Sequence, residues 1–253
     1  MGTTGIMVCG HGSREEATVK ELEELAGILA DQFSDQPVAY GFLDHARPSL
    51  REGLDVLREQ GVETILAIPG MLFAGSHVKN DIPTELNHYA DTHTNISIQF
   101  GRELGMGSNL LQVAADQIAR AEENSSNNTS REETLLMVVG RGASDATSNE
   151  NIQKICRQLC DDMGFGAGEI CFAGVASPLV APGLEHAATL GYRRIIVFPY
   201  LLYTGVLINR IYSTVDQIAE QFPNIEFLKS KYLGNHPKVV ETFADRIREL
   251  AAA

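Results

Sequence analysis

No apolar run in this chain approaches the ~18 residues a membrane-spanning helix needs, which excludes a helical membrane protein. Basic residues are scarce: 20 Lys and Arg stand against 33 Asp and Glu, a net charge of −13. Nucleic-acid binding needs clustered cations to meet the phosphates, so this balance argues against DNA or RNA as the main partner. It fits a solvated acidic surface, ahead of one that gathers cations. The four cysteines, Cys9, Cys156, Cys160 and Cys171, make no disulfide framework in a chain of 253 residues. Cys156 and Cys160, one helical turn apart, read as small apolar core side chains ahead of a metal or redox pair. Met1-Gly2-Thr3-Thr4-Gly5 lacks the basic stretch of a secretory signal, so a cytoplasmic protein is expected.

With 44% hydrophobic and 21% charged residues, the composition is ordinary for a soluble protein. The length allows one large α/β domain or two of roughly 100–150 residues. The pattern alternates strand and helix throughout. Strands are predicted at Ile6–Gly10, Val38–Leu43, Thr64–Leu72 and Ile96–Phe100. The helices between and after them are predicted at Arg14–Phe33, Pro48–Gln60, from about Asp81 to Ala90, and at Asn109–Glu122. A polar stretch without periodicity follows, and the same order then returns, with strands near Leu135–Val139, Glu169–Ala173, Arg194–Leu202 and Ile225–Leu228. Short strands alternating with longer helices imply parallel sheets with helical crossovers on both faces.

The return is a duplication. A constant shift of 130 residues carries Gly10-His11-Gly12 onto Gly140-Arg141-Gly142, Pro48 onto Pro178, Gly61 onto Gly191 and Pro69 onto Pro199. Turn glycines, prolines and strand apolars align together without a gap. The expected fold is therefore α/β, two duplicated lobes with a cleft between them, each a parallel four-stranded sheet flanked by helices. Residues 1–122 form the first lobe, 123–132 a polar linker and 133–253 the second lobe.

Positions where the copies agree serve the fold; polar positions where they disagree are candidates for chemistry. His11 after the first strand, Asp44 after the second and His77 after the third become Arg141, Gly174 and Leu207. None of the three replacements could act as a neutral-imidazole or carboxylate ligand. In parallel sheets, ligands bind beyond the carboxyl ends of the strands, where all three first-copy residues are predicted. Two imidazoles and a carboxylate from separate loops suit a borderline divalent metal such as Co²⁺, Fe²⁺, Ni²⁺ or Zn²⁺. The imidazoles can also accept protons near neutral pH. If Asp44 faces the site, His45 next to it is expected to point away. His88, His93 and His186 read as structural or exposed, and His236 as a loop residue. Gly10-His11-Gly12-Ser13-Arg14 also looks like a phosphate-cradling turn, but it lacks the Lys-Ser/Thr ending of a P-loop. A phosphohistidine-type phosphatase would place Arg where Gly10 stands.

These residues resemble a known family. Gly-His-Gly-Ser-Arg after the first strand, Phe42-Leu43-acid-x-x-x-Pro48, and Pro69-x-x-Leu72-x-x-Gly75-x-His77-x-x-x-Asp81-Ile82-Pro83 are similar to the sirohydrochlorin chelatases. The match is to class II chelatases of the long, internally duplicated type, both cobalt- and iron-inserting, over almost the whole chain. The resemblance implies insertion of a divalent metal into sirohydrochlorin, towards cobalamin with cobalt or sirohaem with iron; the residues do not fix the metal, and cobalt is taken slightly ahead of iron. His11 and His77 carry over as the catalytic metal-binding pair. The family's acid is commonly Glu; here it is Asp44, one methylene shorter, which leaves direct ligation or action through water open. With no Cys- or His-rich C-terminal stretch, no iron–sulfur cluster is expected, and no tightly bound cofactor. Sirohydrochlorin is a polycarboxylate, so its cleft should present cations. Arg14 and Lys79 lie within three residues of the histidines, and Arg47 within three of Asp44. With Ser13, and with Arg141 and Arg210 from the second copy, they form the expected substrate-binding set. A monomer is expected, because duplication can complete a two-lobed cleft within one chain. Two alternatives stay open: a metal or tetrapyrrole carrier without turnover, and a metal-dependent hydrolase.

Overall fold

The computed structural model describes residues 3–253; Met1 and Gly2, where the reading of the N-terminus begins, lie outside the described residues. The chain forms two compact units. In the first, β1 (Thr3–Gly10), β2 (Val38–Phe42), β3 (Val62–Pro69) and β4 (Ser97–Phe100) form a parallel sheet in the order β2-β1-β3-β4. Central β1 buries Ile6, Met7, Val8 and Cys9 completely, because helices cover both of its faces. Met7 and Cys9 point to the core shared with α2 (Leu50–Glu59) and α3 (Ile82–Thr92). The other face is covered by α1 (Glu16–Gln32) and by the C-terminal helix. A capping box starts α2: Ser49 Oγ accepts from Glu52 N–H at 3.2 Å, and Glu52 Oε2 accepts from Ser49 N–H at 2.7 Å.

The second unit repeats this plan with β5 (Thr134–Gly140), β6 (Ala167–Phe172), β7 (Arg194–Pro199) and β8 (Glu226–Lys229), all parallel, in the order β6-β5-β7-β8. Its helices are α5 (Ala146–Met163), α6 (Val180–Ala188) and α7 (Val206–Gln221), joined by α4 (Ser108–Glu123). The shift of 130 residues holds to backbone detail. Left-handed residues occur at Gly12 and Gly142 and at His45 and Val175, and cis prolines follow Arg47 and Ser177. At Gly12 (φ 100°) the reason is contact: a Cβ would overlap the Asp44 carbonyl oxygen, as one at Gly142 would overlap that of Gly174.

The boundaries differ from those expected. The first unit comprises the chain to Gly107 together with Asn235–Ala253, and the second is Ser108–Gly234. The last helix of the first copy, α4, packs on α5, β7 and β8; α8 (Pro237–Ala251), its equivalent, packs on β3 and α1. Each copy has given its closing helix to the other sheet. The side chain that seats α8 is Arg246, 8% exposed, which donates to the carbonyls of Glu103 (2.9 Å) and Leu104 (2.6 Å).

The polar stretch 123–132 is not a free linker, because it lies within the second unit. Buried Arg194 donates to the Thr129 carbonyl at 2.9 Å, the Asn127 carbonyl at 2.8 Å and Ser125 Oγ at 3.1 Å. The strands β3 and β7 stop at their prolines, short of the expected Leu72 and Leu202.

The cysteines behave as core. Burial pushes the Cys9, Cys156 and Cys171 thiols up to about 12, so they stay protonated and poorly nucleophilic. Half-buried Cys160 directs its thiol at the Phe165 carbonyl. Alkylation of the native protein at neutral pH is expected to label Cys160 well before the other three. Peptide mass spectrometry over a time course checks this, and equal rates at all four would contradict the packing described.

Candidate metal centre

The first sheet changes winding direction between β1 and β3: the chain passes from β1 to β2 on one side, then crosses to β3 on the other. In open parallel sheets the loops after two such strands diverge at the switch point, and ligands bind in the crevice this leaves at the carboxyl edge. His11 follows β1 directly, and His77 lies beyond β3 at the start of a π-helical turn, His77–Asp81, that leads into α3. Both side chains are half-buried.

Their Nε2 atoms are 3.1 Å apart, with the rings at 87° to one another. The opposite nitrogens have fixed roles. His11 Nδ1 lies 3.1 Å from the Gly12 carbonyl oxygen, and His77 Nδ1 lies 2.7 Å from Asp81 Oδ2. A carbonyl and a carboxylate only accept, so each Nδ1 carries its hydrogen and donates. The two Nε2 atoms are then left as the acceptor atoms, side by side with the rings edge to face, and a cation shared between them would satisfy both. A metal ~2.05 Å from each nitrogen would subtend an N–metal–N angle of about 98° at this separation, between the octahedral and tetrahedral values.

Asp44 does not complete this pair. Its backbone N–H bonds the His11 carbonyl at 3.0 Å, which fixes the β1 and β2 loops together, but its carboxylate turns to His45. Oδ1 accepts from the His45 N–H at 2.7 Å and Oδ2 lies 3.2 Å from His45 Nε2. His45 itself adopts a left-handed backbone (φ 59°), and its amide and ring both meet that carboxylate. The Asp44 carboxylate is thus engaged by His45 and not by the imidazole pair, and His45 meets Asp44. Among the described residues, no three His, Cys, Asp or Glu side chains gather as a metal cluster.

The carboxylate that meets His77 is Asp81, to which the sequence reading assigned no role. The signal was available: 130 residues on stands Ile211, 1% exposed in α7, so Asp81 differs between the copies as His77 does.

Of the expected substrate-binding residues, Arg14 and Lys79 are exposed on the first unit beside the histidine loops. Ser13 Oγ accepts from the Glu15 N–H at 3.1 Å, at the start of α1. Arg47 is exposed, and its guanidinium ion-pairs with Glu52, the capping residue of α2. On the second unit, Arg141 is exposed after β5, while Arg210 of α7 donates to the Ala173 carbonyl at 2.6 Å, tying α7 to the end of β6. His93 stacks on Tyr89 at 4.2 Å, and His236 caps α8 by accepting from the Lys238 N–H. His88 and His186 are exposed on helices.

A half-open imidazole pair at the switch point of a parallel sheet, present in one copy of a duplicated chain, defines a metal-handling α/β protein. The family model described as CbiX matches residues 5–121 and again 135–250, and the chain belongs to that family. The double match is the duplication seen from outside. The sirohydrochlorin cobaltochelatase of Priestia megaterium is 31% identical over 244 residues, covering 96% of this chain and 79% of the relative. The sirohydrochlorin ferrochelatase of the same organism is 27% identical over 252 residues, covering 98% and 90%. The solved structure of SirB from Bacillus subtilis with Fe3+ superposes with a TM-score of 0.83 at 25% identity, covering 99% of this chain and 96% of that one.

Proposed function

We propose that this protein inserts a divalent metal ion into sirohydrochlorin, with His11 and His77 presenting the metal and accepting the protons the ring releases. Metallation exchanges two pyrrolic N–H protons for the ion, so each turnover needs a donor of metal and an acceptor of protons in one place. The observation that carries the reading is the 3.1 Å approach of two Nε2 atoms whose Nδ1 atoms are both held as donors. Two protein ligands leave most coordination positions open for water and then for ring nitrogens. Such a site can hand its ion on, where a closed four-ligand site would store it. A hydrolase would gather more carboxylates around its metal than this crevice offers.

Cobalt is placed ahead of iron, supported by the higher identity to the cobaltochelatase, 31% against 27%. The corresponding products lead to cobalamin or sirohaem. Arg14, Lys79 and Ser13 on the first unit, and Arg141 and Arg210 on the second, are proposed to meet the substrate carboxylates. The protein is proposed to work as a cytoplasmic monomer, without a tightly bound cofactor and without nucleic-acid or membrane partners. The duplication supports the monomer, and the net charge of −13 supports the lack of a nucleic-acid partner. Among the described residues, no helix is long and apolar enough to cross a membrane.

The test is insertion of Co²⁺, Fe²⁺ and Ni²⁺ into sirohydrochlorin, followed by the visible spectrum of the macrocycle. Turnover is expected with Co²⁺. The Arg141→Ala variant is expected to raise KM by at most ~5-fold with kcat kept, as suits an exposed charge contact. Binding of the macrocycle with no turnover for any of the three ions would make the protein a carrier and overturn the assignment.

A further inference from the structure

We infer that Asp81 is a positioning residue for His77: it fixes the imidazole's tautomer and ring orientation so that Nε2 is the atom offered to the metal. The inference rests on reading His11 and His77 as the metal-binding pair.

Three observations carry it. The first is the hydrogen bond itself. At 2.7 Å, Asp81 Oδ2 lies at the short end of the range for a charge-assisted bond, and a carboxylate can only accept, so the His77 hydrogen sits on Nδ1. Outer carboxylates of this kind orient metal-binding histidines generally. The second is the local backbone. His77 opens the π-helical turn and Asp81 closes it, with the Ile82 N–H bonded to the His77 carbonyl five residues back. Wide turns of this type cost hydrogen-bond geometry and recur at functional sites. The second unit carries no such turn among its described residues: α7 runs as a regular α-helix from Val206.

The third observation is the comparison between the copies. His77 and Asp81 correspond to Leu207 and to buried Ile211. Imidazole, carboxylate and wide turn thus occur together in one unit and are missing together from the other. Asp44 does not supply the same service, since its carboxylate is held by His45. An ordinary surface His–Asp contact would explain the distance alone; it would not explain why the backbone departs from the α-helix between those two residues.

The experiment uses the full-length, metal-free chain and Co²⁺ alone as the probe, with Asp81→Ala, Asp81→Asn and His77→Ala in parallel. Cobalt affinity is measured by calorimetry, and the His77 tautomer by long-range ¹H–¹⁵N correlation of the ring nitrogens. Asp81→Ala is expected to weaken Co²⁺ binding by about 10–100-fold and to lose the single Nδ1–H signature. Asp81→Asn is expected to fall between, because an amide oxygen still accepts from Nδ1–H but carries no charge. The side chain is 44% exposed, so the melting temperature should barely move, which separates positioning from loss of fold. Cobalt affinity within about twofold of the parent in Asp81→Ala, or an unchanged tautomer, overturns the inference. If His77→Ala itself keeps full cobalt affinity, the metal-binding reading fails instead, and Asp81 with it.

Discussion

Alanine at His77 or at His11 is expected to slow metal insertion by about 10²–10⁴-fold, the range spanned by loss of a positioned proton acceptor, with further loss from metal binding. The reasoning starts from the pair and not from either ring. With Nε2 atoms 3.1 Å apart, removal of one imidazole leaves the other a single exposed nitrogen, which holds a hydrated divalent ion poorly. The proton balance worsens as well, since two pyrrolic protons must leave and one acceptor remains. Because the rings act as a unit, the double variant should be little slower than either single one. Single-turnover insertion of Co²⁺ under saturating sirohydrochlorin, compared with macrocycle binding measured separately, isolates the effect. Binding should survive in both variants. Full activity in His77→Ala would refute the site.

The second large effect concerns stability and lies far from the histidines. Replacing Arg194 by Ala is expected to cost about 3–5 kcal/mol, the usual result of removing one partner from a buried ion pair. The side chain is 4% exposed and its Nε donates to Glu226 Oε2 at 2.6 Å, while the rest of the guanidinium satisfies carbonyls of the polar stretch after α4. Alanine would strand a carboxylate of 14% exposure and release residues 125–129 from the sheet edge. Thermal unfolding should register a fall on the order of 10 °C.

The pH dependence has a definite sign. Burial alone would raise the Glu226 carboxyl, but hydrogen bonds from Ser125 and Arg194 and the ion pair outweigh it and hold the group below its ordinary 4.5. A carboxyl lowered in this way stabilises the fold above its unfolded value, and the contribution is lost as pH falls through the folded one. The deficit of Arg194→Ala should therefore be largest near neutrality and shrink in acid. A melting curve unchanged at pH 7 would show that the pair does not hold this region.

Much of the fold was legible because its signals are local and were written twice. Turn glycines such as Gly12 and Gly142, the prolines ending β3 and β7, and the apolar strands recur at one spacing, since each serves a backbone geometry set by its neighbours. The same comparison found His11 and His77 by what the second copy lacks. It could have found Asp81 too, had the position been read as part of a turn with His77 and not as the start of a helix. The direction of the Asp44 carboxylate was not legible, because it depends on which hydrogen-bond donors the folded loop brings within reach, here the His45 amide and ring.

Sequence alone determined the α/β class, the duplication and the two imidazoles that differ between the copies. It could not assign the closing helices. α8 buries Val239, Val240, Phe243, Ala244 and Ile247, and α4 a comparable stripe, so either sheet would satisfy either helix. Tertiary structure decided the exchange, with Arg246 of α8 satisfying the loop carbonyls after β4 across 142 and 143 residues of chain. It also decided which carboxylate serves the histidines and that the polar stretch is anchored, because both follow from long-range or conformational partners that no local pattern encodes.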